Sequence, residues 1–379
     1  MGNRVLILAS VASMIDQFNI PNIKLLKEMG YDVHVACNFI EGNTCSDEQI
    51  TILKNNLSKA NVEFHQIDFQ RNVMRFKDNV KAYKQVHKLV DKYKFKFLHC
   101  HSPIGGVVGR LIGKTTDTKV IYTAHGFHFY EGAPLRNWLV YYPIERWLSK
   151  YTDTLITINR EDYKRISDFK ARRKEYIHGV GIDISKFELK TSNRLKTRKS
   201  INVNENEIMV LSVGELNRNK NHQVIIKAIA ELRDIKIKYV ICGQGSLRDE
   251  LIKLSKELKV DHQVEFLGFR SDIPELMDAA DIYAFPSFRE GLSVSLMEAM
   301  ASGLPVVCSN IRGNSDLIVE DKGGYLIQPS DYLEASKKIK ELYKCAEFRN
   351  KFGDYNKLYI TKFSVINVMD EMLRIYKEM

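Results

Sequence analysis

A chain of 379 residues and 43.8 kDa exceeds one ordinary core and points to two domains of roughly 150 to 200 residues each. With 44% hydrophobic and 27% charged residues, 8 Pro and 21 Gly, it is no collagen-like, low-complexity or largely disordered sequence. A net charge of +10 leaves nucleic acid, an anionic membrane surface and a phosphate-bearing substrate open as partners.

In chain order, Arg4 and the apolar run after it imitate a secretory signal. Residues 20–30 and 31–36 continue that run as a helix and a second strand, so it reads as the first strand of a fold. Position 6 is Leu, not the Ser or Thr of a myristoylation site. Further strands are expected at 63–66, 97–99, 119–123 and 154–157, with helices between them. A segment at 188–205, rich in Lys, Arg, Thr and Ser, reads as a linker. Beyond it, strands at 208–213, 237–242, 264–266, 282–285 and 305–308 alternate with helices at 221–233, 246–258, 272–279 and 294–302. Helices at 331–344 and 346–360 precede an apolar-periodic tail of Val365, Val368, Met369, Met372, Leu373 and Tyr376. The longest charge-free runs, 97–109 and 299–311, fall short of the ~20 residues a membrane span needs. Six cysteines without paired spacing imply neither a disulfide framework nor a Cys-based zinc site, and fit a reducing cytoplasm.

This rhythm predicts an α/β protein of two Rossmann-like, doubly wound domains. They are an acceptor-side domain at 1–187 and a nucleotide-binding domain at 206–360, with a helix at 361–379 that packs back on the first domain. Such folds bind ligands at the carboxyl ends of their strands, here expected to face a central cleft. The first domain has 28 basic and 19 acidic residues, whereas 206–379 has 24 and 26. Lys77, Lys81, Lys84, Lys88 and Lys92 fall at helical spacing, and Lys164, Arg165, Lys170, Arg172, Arg173 and Lys174 form a second cluster. Both read either as solvated faces or as a surface for anionic lipid or polyprenyl phosphate. No nucleic-acid motif accompanies them.

The densest chemistry lies in Phe285-Pro-Ser-Phe-Arg-Glu-Gly-Leu-Ser-Val-Ser-Leu-Met-Glu298. A strand ends, Gly291 permits close approach, and a helix opens near Ser293 with free N–H groups suited to a diphosphate. Glu298 can accept hydrogen bonds from sugar or ribose hydroxyls. Two carboxylates alone would read as solvated surface groups. This segment resembles the Glu-x7-Glu signature of glycosyltransferase family 4, retaining enzymes of the GT-B fold that take a sugar from a nucleotide diphosphate.

The resemblance implies that Glu290 holds donor-sugar hydroxyls, Glu298 holds the ribose, and Gly291, Leu292 and Ser293 face the diphosphate. Leu211-Ser-Val-Gly-Glu-Leu-Asn-Arg-Asn-Lys220 is similar to the family's phosphate loop. It implies that Lys220 neutralises the diphosphate, while Glu215 replaces a family arginine and Arg218 is the candidate substitute. Gly243 resembles the glycine turn beside the nucleotide, and Phe269, Arg270 and Ser271 the loop that reads the base. His125, in Tyr-Thr-Ala-His-Gly-Phe-His, matches a family histidine beside the reacting carbon, and His128 is a further candidate. His99 and His101 share a strand face. Without further ligands nearby they read as structural or, for His101, substrate-facing, and no metal or other cofactor is expected.

The Ala9–Phe18 loop resembles that of a capsule and exopolysaccharide subgroup. Asp16 there either orients an acceptor hydroxyl or is a helix N-cap or first-turn acid. The expected activity is retaining transfer from a UDP-sugar to a lipid-linked saccharide, at the inner membrane face, in surface polysaccharide synthesis. A nucleotide-sugar epimerase of the same fold and a catalytically silent, nucleotide-sugar-binding partner subunit are the alternatives.

Overall fold

The computed structural model describes residues 2–42, 45–70, 76–187 and 193–379. The chain forms two compact units, Met1–Gly181 with Val365–Met379, and Ile182–Ser364. The first contains β1 (Arg4–Val11), α1 (Ala12–Phe18), α2 (Ile20–Glu28), β2 (Asp32–Asn38), α3 (Asp47–Lys59), β3 (Glu63–Gln66), α4 (Phe76–Tyr93) and β4 (Phe97–His101). It continues with α5 (Pro103–Thr116), β5 (Lys119–Ala124), α6 (Leu135–Leu148), β6 (Thr154–Thr157), α7 (Arg160–Arg165) and β7 (Arg173–Tyr176). The seven strands are parallel in the order β3-β2-β1-β4-β5-β6-β7. Central β1 is buried along Val5–Val11, as expected of a parallel strand covered on both faces.

The second unit contains α8 (Arg194–Ser200), β8 (Ile208–Val213), α9 (His222–Ala230), β9 (Ile237–Cys242), α10 (Arg248–Glu257), β10 (Val264–Gly268), α11 (Ile273–Ala279) and β11 (Ile282–Phe285). It ends with α12 (Val294–Ala301), β12 (Val306–Ser309), α13 (Asn314–Leu317), β13 (Gly324–Ile327), α14 (Tyr332–Lys344) and α15 (Ala346–Ile360). Its six strands are parallel in the order β10-β9-β8-β11-β12-β13. The final helix, α16 (Val365–Lys377), belongs to the first unit: the Tyr376 hydroxyl bonds His99 Nδ1 at 2.7 Å and donates to Asn22 Oδ1 at 3.1 Å.

Three expectations change. Residues 188–192 of the expected linker lie outside the described residues, but 194–200 is helical. Arg198 is buried and donates to Ala279 O at 2.8 Å, and Arg194 donates to Ala280 O at 2.9 Å. The two arginines thus cap the carbonyl end of α11, where the helix dipole favours cations. The Ala9–Phe18 segment is the end of β1 followed by α1, not a loop. Asp16 lies beyond the first turn of α1, and the N-cap is Val11. Two edge strands, β7 and β13, join the sheets beyond the expected set.

Candidate functional site

In the second unit the strand order reverses between β8 and β11, so the loops that follow them diverge and leave a crevice at their carboxyl ends. Hydrogen bonds tie the two loops together. Phe288 N donates to Asn219 O at 2.8 Å, and Asn219 Nδ2 to Arg289 O at 2.9 Å. Asn221, left-handed at φ +56° where α9 begins, donates to Pro286 O at 3.1 Å and Pro329 O at 2.7 Å. Between these ties Lys220 Nζ donates to Glu290 Oε1 at 2.8 Å and lies 4.7 Å from the Phe285 ring centroid. Lys220 N is held by Asn217 Oδ1 at 3.0 Å. The pair is mostly buried, so its charges attract more strongly than at an exposed surface.

Two glycines permit close approach around this crevice. Gly243 has φ +154°, and a Cβ there would strike the Gly214 carbonyl. Gly313 has φ +81°, and a Cβ would strike the Gly291 carbonyl. Only glycine meets both demands.

Ser293 caps α12, its Oγ accepting from Leu296 N at 3.3 Å, with Gly291 and Leu292 half-buried just before it. Glu298, further along the same helix, has no side-chain hydrogen bond among the described residues. Burial raises its carboxyl to about 7, opposed by Lys186. Such a carboxylate is suited to accept from a pair of hydroxyls. Arg218 and Glu215 are exposed and form no ion pair with the described residues. Phe269 presents an exposed ring. Arg270, by contrast, is committed to Asp272, at 2.7 Å for Nε–Oδ1 and 2.5 Å for Nη2–Oδ2, and that guanidinium holds Asp272 below the usual carboxylate range.

In the first unit the order reverses between β1 and β4, and Ser10 N there donates to Ser102 Oγ at 3.0 Å. His101 ends β4 and His125 follows β5, with 3.0 Å between His101 Nδ1 and His125 Nε2. His99 bonds Tyr376 and, at 2.9 Å, Thr123 Oγ1, so both its ring nitrogens are occupied. Burial lowers His99 to about 3, His125 to about 4 and His101 well below the imidazole range. The trio is therefore neutral near pH 7. His101 Nε2 is buried without a partner. His128 stacks on Tyr141 with centroids 4.6 Å apart. Asp16 is exposed on α1, and its neighbour Phe18 packs 5.5 Å from His125.

Sequence reading missed Asn219 and Asn221, whose signal was the run of Asn around Lys220, and Arg312, whose Nε donates to Glu290 O at 3.1 Å. It also missed one grouping among the described residues that has metal-ligand spacing: His34, Glu63 and His65. His34 Nδ1 and His65 Nε2 are 3.0 Å apart with the rings 9° from coplanar, the arrangement of one imidazole donating to the other. No described helix is long and apolar enough to cross a membrane. Lys81, Lys84, Lys88 and Lys92 stand exposed on α4, while the Lys77 side chain lies outside the described residues. Half of the second basic cluster is paired: Arg165 with Glu161 at 2.7 Å, Arg172 with Asp153 at 3.2 Å and Arg173 with Glu175 at 2.8 Å.

Comparison with known proteins identifies the family and the fold. Residues 193–359 match the family described as glycosyl transferases group 1, and residues 4–159 match glycosyl transferase 4-like. The putative glycosyltransferase EpsD of Bacillus subtilis (strain 168) is 35% identical, over 99% of this chain and 97% of that protein. An Escherichia coli UDP-Gal:alpha-D-GlcNAc-diphosphoundecaprenol alpha-1,3-galactosyltransferase is 29% identical over 69% of each chain. Among solved structures, Anabaena Alr3699/HepE in complex with UDP and glucose aligns with a TM-score of 0.80 at 18% identity, over 99% of this chain and 100% of that one.

Proposed function

The chain belongs to the group 1 glycosyltransferases, with the GT-B fold, and from that membership we propose a retaining enzyme that moves a sugar from a UDP-linked donor to a lipid-linked saccharide. The observation that carries this reading is the Lys220–Glu290 pair, set at the point of strand reversal beside the start of α12. A leaving diphosphate is the largest charge developed in the reaction, and a fixed ammonium with helix N–H groups opposes it. Lys220, Arg218 and the Gly291-Leu292-Ser293 turn are assigned to it. Glu290 takes donor-sugar hydroxyls, Glu298 the ribose, and Gly243, Phe269 and the Arg270 backbone the nucleotide. His125 is assigned to the donor sugar by the family resemblance, and Asp16, His101 and His128 to the acceptor side. A donor phosphate oxygen accepts the acceptor proton, so no side chain is assigned as general base.

The acceptor class is supported by the E. coli relative, whose name specifies a diphosphoundecaprenol saccharide. The subgroup resemblance of the Ala9–Phe18 segment supports a place in capsule or exopolysaccharide synthesis. The exposed lysines of α4 support peripheral contact with an anionic membrane. Catalysis is assigned to protein cations, without a metal.

A panel of UDP- and GDP-sugars, offered with polyprenyl-diphosphate saccharides in the presence of EDTA, tests the reading. Transfer in EDTA is expected. Activity that returns only with Mg²⁺ or Mn²⁺ overturns the metal-independent part. An isomerised donor sugar identifies an epimerase, and binding without turnover a silent partner subunit.

Glu298 gives a second test. Ribose hydroxyls donate to its carboxylate, and its free-state pKa is about 7, so donor binding is stronger with the proton off. UDP-sugar affinity is expected to fall roughly tenfold from about pH 8 to about pH 6, following one unit of titration. Glu298→Gln is expected to bind weakly at both pH values and to lose that slope. Calorimetry that finds unchanged affinity in the variant removes Glu298 from the ribose site.

A further inference from the structure

Helix α6 presents an apolar stripe to solvent. Leu135 is 74% exposed, Leu139 69%, Val140 50%, Ile144 43% and Trp147 43%, and Pro143, exposed as well, lies among them. Their spacing places them along one side of the helix, whereas Trp138, Tyr141, Tyr142 and Leu148 pack inwards. Helices of a soluble domain ordinarily turn the opposite face outwards. A continuous apolar stripe of this kind marks an interaction surface.

The charges around the stripe select its occupant. Within residues 135–151 the exposed ionic side chains are Arg136, Arg146 and Lys150, all cationic. The one acid of that segment, Glu145, is buried and paired with Arg110 at 2.7 Å. Asp168, the acid that reaches the helix from outside, is bound by Arg146 at 2.6 Å. At the end of the stripe, exposed Lys114 lies 5.5 Å from the Trp147 ring centroid and 4.8 Å from that of Tyr151. Apolar side chains flanked by cations, with an amphipathic aromatic at one end, are the chemistry of a helix lying in a lipid headgroup layer.

We infer that the outward face of α6 inserts into the acyl boundary of an anionic phospholipid bilayer and seats the first unit on the membrane. The α4 lysines act at a distance and are screened over about 10 Å at 0.1 M salt. The α6 stripe contributes burial of apolar surface, which salt does not screen. The inference rests on this surface and not on the transferase reading, because UDP-sugar binding requires no bilayer.

Vesicle flotation tests it, with phosphatidylglycerol–phosphatidylcholine vesicles and the double variant Leu139→Glu/Ile144→Glu. Wild-type protein is expected to retain a salt-resistant fraction of binding at about 0.5 M NaCl. The variant is expected to lose that fraction and to bind at least tenfold more weakly at low salt. UDP-sugar binding by the variant, unchanged, shows that the fold is intact and keeps this outcome separate from failure of the proposed activity.

A second measurement needs no charged substitution in the stripe. In a Trp138→Phe background, Trp147 fluorescence is expected to shift to the blue on vesicle addition and to be quenched by brominated acyl chains. Equal vesicle binding by wild type and variant, or Trp147 emission indifferent to vesicles, overturns the inference. So does a wild-type dimer that the variant dissolves without loss of vesicle binding, since the occupant is then a second copy of the chain.

Discussion

Replacing Lys220 with alanine is expected to reduce kcat/KM for transfer by at least ~100-fold, about 2.7 kcal/mol of transition-state stabilisation. The ammonium is positioned before any donor arrives, by Glu290 at 2.8 Å, the Phe285 ring and the loop bonded to Asn217 Oδ1. Little reorganisation then accompanies the build-up of charge on the leaving diphosphate, which is the condition under which a fixed cation contributes most. Glu215 stands where the family resemblance places an arginine, and it is exposed and unpaired among the described residues, so Glu215→Ala is expected to be mild. Arg218 is exposed, three residues along the same loop and equally unpaired, free to turn towards a phosphate. If it supplies the second positive charge, Arg218→Ala approaches the Lys220 defect. Steady-state kinetics with near-normal values for both variants would place the diphosphate in another loop.

The alternating pattern made the framework readable because strands such as Ile208–Val213 and Ile237–Cys242 are apolar runs between marked turns. The edge strand β7 was not readable for the opposite reason. Its sequence Arg-Lys-Glu-Tyr is polar, being half-exposed at the sheet edge, and it looked like part of a basic cluster. Helix α1 carries no cap signal, since Val11 precedes it without a side-chain hydrogen bond. Helix α8 hid in a run of Lys, Arg, Thr and Ser whose buried member, Arg198, acts on the end of α11, a partner about 80 residues away that no local pattern reveals.

The candidate site divides in the same way. Its motif residues Lys220, Glu290 and Glu298 could be singled out through the family resemblance, since by type alone they read as solvated surface groups. The ties through Asn219, Asn221 and Arg312 could not, because each joins side chain to backbone across two loops. Charge counting likewise overstated the second basic cluster, because a tally does not match a cation to its acid: Glu161 and Glu175 share α7 and β7 with their arginines, and Asp153 lies just before β6.

Helix α6 depends on a second charge pair, this one wholly inside the first unit. Arg110, fully buried on α5, donates from Nη1 to Glu145 Oε2 at 2.7 Å and from Nε to Gly106 O at 2.8 Å, and stacks 4.1 Å from the Tyr122 ring centroid. Its Nη2 has no partner, so Glu145 is the only anion held against this guanidinium among the described residues. Glu145→Ala leaves a cation in the core with its desolvation uncompensated, at an expected loss of about 3–5 kcal/mol of stability. Because arginine stays charged at any practical pH, protonation equilibria offer no escape. Arg110→Met combined with Glu145→Leu removes both charges and keeps the volume, and is expected to recover most of the loss. Urea unfolding of the single and double variants measures the difference. A single variant within about 1 kcal/mol of wild type would show that Glu145 does not hold α6 against α5, and that some other contact fixes which face of the helix is turned outwards.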